Sequence, residues 1–485
     1  MFSVREDEAS RSGEGNSVSR KPAQDFSWQA LRSPWAWLPF CLFLGFFFPN
    51  TRVDWLQAHM EIGRWVILFI ITGIACLHWL FSRSMFGFPT RAGNPTKWEL
   101  FLFLSYLWMG TSIIESVNPW LAFFKWIVFL IFLIVCVSYS TLLTRREELV
   151  LSLFPFTIFF VLFIWIIPIS VPFFPQPIRG SMGHINGFLI FAPALGHFLA
   201  AFGIPITLYW LNRPVGKKTR FFLLLTLLLA LGLTIKSGSR VAVISASLFL
   251  FVALARWRRS EDFDFLKVVL VCAGLLAFLT MPVIEDRIKL YLYKYPGEEE
   301  LLASRTDFWD RTIEEFKTRS LFGYGFGVQK QMEGMPVHFS TIGQREQGST
   351  FLALLEEVGV CGALPIFIFF SIIGYTSLVA LWRARDPLDL FFSRVVFVGL
   401  SLAAFENYLL SLGNATSILV VFSFFCKERL AEISRMETSP GNTGEACASD
   451  IPAAPCPKDP SGAGRRSVSS VDWRPSSGSS SLDIP

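Results

Sequence analysis

Residues 121–140 read LAFFKWIVFLIFLIVCVSYS and carry one charged side chain, that of Lys125. A bilayer core is crossed by about 20 apolar residues in helical form. Comparable apolar runs recur along the chain, at 34–49, 64–82, 98–115, 149–173, 187–211, 221–235, 239–256, 266–284, 351–381, 389–411 and 413–426. The sequence therefore predicts an all-α, polytopic integral membrane protein with about twelve transmembrane helices.

The composition of the whole chain supports this prediction. Of its 485 residues 52% are hydrophobic and only 17% are charged, against about 25% charged in ordinary soluble domains. The mean hydropathy is +0.48. Such a chain cannot cover a soluble fold with polar groups, so a soluble enzyme is excluded. The net charge of +5 is too weak to argue for a nucleic-acid partner.

Basic residues recur in every second loop, which predicts the orientation of the helices. They lie at Arg83–Lys97, Arg145–Arg146, Arg213–Arg220, Arg256–Lys267 and Arg383–Arg385. Lys and Arg in short loops favour the cytoplasm, so both termini are predicted to be cytoplasmic. No cleavable signal peptide is recognised in the polar first residues.

The pattern divides the chain into five parts. Residues 1–32 form a polar cytoplasmic tail, 33–284 hold transmembrane helices 1–9, and 285–350 form a large outside loop that contains helix. Residues 351–430 hold helices 10–12, and 431–485 are predicted to be a disordered cytoplasmic tail because they are rich in Ser, Pro and Gly.

Charged and polar groups gather at the outside ends of these helices. A tight outside turn lies between Lys236 and Arg240. These cations either belong to a functional site or extend to lipid headgroups. A second outside loop contains Arg179, His184 and Asn186 among glycines, which would let a ligand approach closely. The alternative interpretation is a structural turn whose polar groups are hydrogen-bonded within the protein. The large loop adds further candidates, Arg305, Trp309, Tyr324, His338 and Glu346. His197 lies deeper in a helix and is predicted to be a packed polar residue.

The eight cysteines form no CxxC pair and no ligand cluster, so the sequence predicts neither a metal site nor a cofactor. Clustered outside arginines instead suit an anionic phosphate ligand.

Four segments resemble the O-antigen ligase and polymerase superfamily of bacterial inner-membrane glycosyltransferases over about residues 170–430. The first two are Arg179-Gly-Ser-Met-Gly-His-Ile-Asn186 and Leu233-Thr-Ile-Lys-Ser-Gly-Ser-Arg240. The third joins Arg305-x-x-x-Trp309 to Ser320-Leu-Phe-Gly-Tyr-Gly-Phe-Gly327, and the fourth runs from Gly348 to Gly362.

The resemblance implies transfer or polymerisation of a glycan in polysaccharide biosynthesis, at the periplasmic face of the bacterial inner membrane. The donor would be a glycan on undecaprenyl diphosphate, and the acceptor a sugar hydroxyl of another glycan or of the lipid A core of lipopolysaccharide. Arg240, Arg305, Glu346 and His338 are then the predicted catalytic residues. The predicted substrate-binding residues are Arg179, His184, Asn186, Lys236, Trp309 and Tyr324.

One departure from the family pattern affects the predicted proton acceptor. Gly348 stands where the ligases have a catalytic histidine, so Glu346 and then His338 are the predicted bases. Two alternatives stay open at this point: a transporter or flippase of lipid-linked oligosaccharide, which predicts two similar halves, and a catalytically silent homologue.

Overall fold

A computed structural model gives the architecture of the chain. It describes residues 34–48, 54–84, 95–143, 145–170, 192–213, 215–257, 303–334, 348–384, 386–406, 409–410 and 414–438. Within these residues all regular structure is helical, and no strand occurs. The predicted all-α fold class is therefore confirmed for the part that the structure describes.

The helices are numbered here in chain order. They are α1 (Pro34–Phe47), α2 (Asp54–Ser84), α3 (Lys97–Met109), α4 (Pro119–Leu142), α5 (Arg146–Ser170), α6 (Ala192–Phe198), α7 (Ile204–Leu211), α8 (Lys217–Lys236), α9 (Arg240–Trp257), α10 (Ala303–Thr318), α11 (Thr350–Arg383), α12 (Pro387–Ala403) and α13 (Ala415–Thr438). A π-helical turn, Leu199–Gly203, joins α6 to α7.

Five helices among the described residues are long and apolar enough to cross a membrane. They span Pro119–Leu142, Arg146–Ile169, Pro193–Leu211, Lys217–Lys236 and Thr350–Arg383. Shorter apolar helices occupy Trp37–Phe47, Ile62–Ile74 and Arg240–Leu250. Every predicted apolar run overlaps a described helix except 266–284, which lies outside the described residues. The total of about twelve spans stays a prediction.

Phenylalanine rings hold α6 in the centre of the helices. The ring of Phe198 stacks on Phe43 of α1 at 5.9 Å between centroids and meets Phe163 of α5 edge-on at 5.8 Å. Aromatic pairs of this kind contribute about 0.5–1.5 kcal/mol beyond their buried area. Gly203 closes the π turn against the ring of Phe160, where a Cβ would clash. This packing positions α6 relative to α1 and α5.

The last helix extends past residue 431, where the sequence predicts a disordered tail to begin. The structure continues α13 to Thr438. Buried polar contacts support this end of the helix: Arg429 Nε donates to Leu143 O at 2.7 Å, and Lys427 Nζ donates to Ser377 Oγ at 2.9 Å. The contacts described below lie within the compact unit Met1–Met436.

Candidate functional site

The turn between α8 and α9 forms one wall of the candidate site. Gly238 adopts φ = 71°, a left-handed conformation that glycine tolerates without strain. Ser237 Oγ donates to Thr234 O at 2.7 Å and closes the turn. Lys236 ends α8 with an exposed side chain, and Arg240 begins α9 half-buried. The two predicted cations therefore flank one ordered turn.

Helix α6 approaches this turn very closely. A Cβ at Gly196 would clash with Ser237 Oγ and would lie 2.9 Å from Ser239 Cβ. The glycine thus lets the backbone of α6 touch the turn. As a result the neighbouring His197 reaches Ser239, with 3.0 Å between Nε2 and Oγ.

The same nitrogen of His197 also lies near a carboxylate. Its Nε2 lies 4.0 Å from Glu406 Oε1, just beyond the end of α12. The side chain of His197 is 7% exposed and that of Glu406 is 16% exposed. The prediction that His197 is a packed polar residue accounts for its burial. It did not anticipate Ser239 and Glu406 as neighbours, which come from elements distant in the chain.

Glu406 is tied to the beginning of α11. Thr350 Oγ1 donates to Glu406 O at 2.7 Å. Ser349 is the N-cap of α11, and its side chain accepts from Phe351 N at 3.3 Å. Gly348 precedes this cap, and a Cβ built there meets no described residue within 4 Å. The backbone of Glu406 therefore lies beside the beginning of α11.

The loop helix α10 packs over Phe405, the neighbour of Glu406. The Trp309 ring lies 6.3 Å from the Phe405 ring between centroids. Its indole Nε1 is buried and has no hydrogen-bond acceptor in the structure. Arg305 lies one turn earlier on α10, but its side chain is outside the described residues. Helix α10 thus brings two of the predicted residues toward the end of α12.

The glycine-rich strap, defined here as Ser320–Gly327, docks into a break in α11. Gly359 has φ = 65° and interrupts the helix. The carbonyl groups freed by the break accept from the strap: Glu356 O from Tyr324 N at 3.0 Å, and Glu357 O from Gly325 N at 2.7 Å.

The amide groups freed by the same break donate to the strap. Val360 N donates to Ser320 O at 2.8 Å, and Cys361 N donates to Leu321 O at 3.2 Å. The strap therefore replaces the helical hydrogen bonds that Gly359 removes, and each of these backbone groups has a partner.

Two oppositely charged side chains hold the end of the strap. Lys125 Nζ donates to Gly327 O at 2.6 Å, while Glu357 Oε2 accepts from Gly327 N at 2.9 Å. Tyr324 is buried, and its hydroxyl pairs with Thr318 Oγ1 at 2.6 Å. These contacts assign the strap a structural role, and Tyr324, a predicted substrate-binding residue, is part of it.

Five other predicted residues lie outside the described residues: Arg179, His184, Asn186, His338 and Glu346. The structure thus locates Arg240, Lys236, Trp309 and Tyr324 with their side chains and Arg305 by its backbone. In the part of the chain that the structure covers, no three His, Cys, Asp or Glu side chains form a group that could hold a metal ion.

Comparison with known families follows this geometry. Residues 222–367 match the family model described as O-antigen ligase. This part of the chain is similar to the O-antigen ligase family. The match includes the turn at Arg240, helix α10, the strap and the beginning of α11, and it confirms the predicted superfamily. No curated protein matches the chain.

The O-antigen ligase domain indicates a glycosyltransferase-like enzyme with a glycan ligase or polymerase role, acting on a lipid-linked glycan and an acceptor in polysaccharide biosynthesis. With the apolar helices, it makes the protein a multi-pass membrane protein. His197 and Glu406 both lie outside the matched residues 222–367. Glu406 is not among the site residues predicted from the sequence, although an ionisable residue at the end of an apolar run is a signal of function.

Proposed function

We propose that this protein transfers a glycan from an undecaprenyl diphosphate donor to a sugar hydroxyl at the periplasmic face of the bacterial inner membrane. The observation that carries the proposal is the O-antigen ligase match over the turn that begins α9 and the helix α10. These two elements contain Arg240 and Arg305, the residues proposed to bind the diphosphate. Both termini are proposed to be cytoplasmic.

Arginine suits the chemistry of the leaving group. When the acceptor oxygen attacks the anomeric carbon, the bond from that carbon to the donor diphosphate breaks, and negative charge develops on the diphosphate. A guanidinium group offers a planar fork of donors that binds two phosphate oxygens at once. Groups placed where charge develops lower the barrier most. Arg240 is half-buried at the beginning of α9.

The lipid tail of the donor requires an apolar surface next to this charged end. Exposed apolar side chains line the outer part of α8 and α9, including Ile235 and Ile244. A polyisoprenoid chain packing there would leave its diphosphate at the height of Arg240. The reaction is proposed to need no metal ion, because the arginines supply the positive charge.

The experiment is a transfer assay with purified protein in lipid nanodiscs. Undecaprenyl diphosphate-linked glycan is supplied with lipid A core, with a second lipid-linked glycan, or with a free oligosaccharide. The expected result is a longer or newly attached glycan together with released undecaprenyl diphosphate, at equal rates with and without EDTA. The product also distinguishes ligase from polymerase action.

An intact donor with every acceptor would contradict the proposal. If the same protein in sealed vesicles then moved the lipid-linked glycan between leaflets, the flippase alternative would replace it. If the assay detects neither transfer nor movement of the glycan, the protein is a catalytically silent homologue.

A further inference from the structure

The contacts of His197 join two parts of the protein that the family match does not join. Ser239 precedes Arg240 in the turn, and its Oγ lies 3.0 Å from His197 Nε2. The carboxylate of Glu406 lies 4.0 Å from the same nitrogen. One imidazole nitrogen therefore lies between this carboxylate and the turn that carries the proposed diphosphate-binding arginine.

Glu406 is the more accessible member of this pair. Its side chain is 16% exposed, against 7% for His197, so the carboxylate is the group that an incoming hydroxyl can reach. The hydrogen bond from Thr350 fixes its backbone, and the packing of Phe405 against Trp309 fixes the preceding residue. A base must be held within hydrogen-bond reach of the proton it accepts, and these contacts restrict where Glu406 can move.

The buried acids Glu356 and Glu357 of α11 are less accessible than Glu406. Glu357 accepts the amide of Gly327, and Glu356 accepts from Gln329 Nε2 at 3.5 Å. Both are about 1% exposed. Their contacts hold the strap in the break of α11, so they are assigned to structure.

We propose that Glu406 accepts the proton of the attacking sugar hydroxyl and that His197 positions its carboxylate. This inference rests on the proposed glycan transfer. The hydroxyl oxygen forms a bond to the anomeric carbon, and the bond between that carbon and the diphosphate oxygen breaks with its electron pair going to the diphosphate. The hydroxyl proton moves to the Glu406 carboxylate, which becomes a neutral acid and later releases the proton to water.

The test is steady-state transfer kinetics of full-length variants in nanodiscs. Glu406→Gln keeps the shape of the side chain and removes its basicity. Its kcat is expected to fall about 10²-fold or more, while the KM for the lipid-linked donor stays within about twofold because Arg240 is untouched. Glu115→Gln is the matched control, since Glu115 is an exposed glutamate of the loop between α3 and α4. It is expected to keep wild-type kinetics.

The role of His197 is tested by a pair of variants. His197→Phe fills the space without a ring nitrogen, and its kcat is expected to fall roughly 10- to 100-fold because the carboxylate is less well placed. His197→Gln restores a hydrogen-bonding group near the position of Nε2 and is expected to recover most of the loss. Equal defects in both variants, or a change in donor KM alone, would overturn the positioning role.

The outcomes separate this inference from the function on which it rests. An inactive wild-type protein overturns the proposed transfer and the inference together. An active wild-type protein with an undiminished Glu406→Gln variant overturns the inference alone. If Glu406→Gln does not elute as a folded protein, Glu406→Asp carries the test. It keeps the acid but withdraws it by one methylene, so a kcat equal to wild type would overturn the proposal.

Discussion

At the scale of single residues, two glycines near the candidate site have opposite surroundings. Gly196 faces the hydroxyl of Ser237, and Ser239 lies behind it, so even a methyl group finds no room. A Cβ at Gly348 meets no described residue within 4 Å, although the family resemblance implies a histidine at this position. The first glycine is required by close packing, and the second is not.

Alanine substitutions should separate these two glycines. Gly196→Ala is expected to lower the free energy of unfolding by about 1–3 kcal/mol, because the turn and α6 must move apart. It should also reduce transfer, since that movement separates His197 from Ser239. Gly348→Ala should change stability by less than about 0.5 kcal/mol. Thermal unfolding in detergent measures both, and equal midpoints for the two variants would contradict the packing argument.

The two cations of the turn also differ at this scale. Arg240 is half-buried and Lys236 is exposed. Arg240→Lys keeps the charge but loses the planar fork, so transfer should fall roughly 10- to 100-fold at normal expression. Lys236→Arg is the control and should stay within about twofold. Full activity of Arg240→Lys would favour an interaction with lipid headgroups in place of diphosphate binding.

At the scale of secondary-structure elements, the break in α11 explains the glycine-rich segment of the large loop. The strap takes up the hydrogen bonds that the helix loses at Gly359. The strap directly follows α10, so its docking also holds α10, the helix that packs over Phe405. The glycine pattern thus positions the loop helix near the candidate site.

Two glycines within α11 provide a matched test of this docking. A Cβ at Gly359 would meet the Leu321 carbonyl group in a left-handed backbone conformation, whereas one at Gly374 would meet only Leu400 Cδ1 at 3.4 Å. Gly359→Ala should therefore cost about 3 kcal/mol or more. Gly374→Ala should be neutral or slightly stabilising, because alanine favours helix. The prediction fails if limited proteolysis of the loop is equally slow in both variants.

At the scale of the whole molecule, the described helices agree with one orientation in the membrane. The basic pair Arg145–Arg146 lies at the beginning of α5, and the basic loop Arg213–Arg220 follows the end of α7. Both lie at the end of the helices opposite to His197. The ends of α8, α6 and α12, together with the beginning of α11, all meet at the candidate site. The positive-inside rule predicts that this end faces the periplasm.

Reporter insertions check this orientation directly. A reporter after Arg385 should be cytoplasmic, because this loop is short and basic, and one near Gly334 should be periplasmic. Accessibility of single cysteines to a membrane-impermeant reagent at the same positions gives an independent measurement. Opposite locations at both positions would refute the arrangement, and with it the periplasmic site.

The sequence by itself determined what depends on composition and local pattern. Apolar length specified the helices, the basic loops predicted orientation, and the segments around Arg240, Trp309 and Gly348 indicated the superfamily. These properties are local, because a helix in lipid satisfies its own backbone hydrogen bonds within one segment.

Only the tertiary structure decided which of these polar groups meet. His197 lies in α6, Ser239 in the turn before α9 and Glu406 after the end of α12. Their contacts depend on the absence of a Cβ at Gly196 and on a hydrogen bond from Thr350. The break at Gly359 likewise gives the backbone of Tyr324 a partner, Glu356 O, while its predicted role in substrate binding stays a prediction. Periodicity cannot reveal such contacts, because they arise from how helices pack at close range and not from the pattern within any one helix.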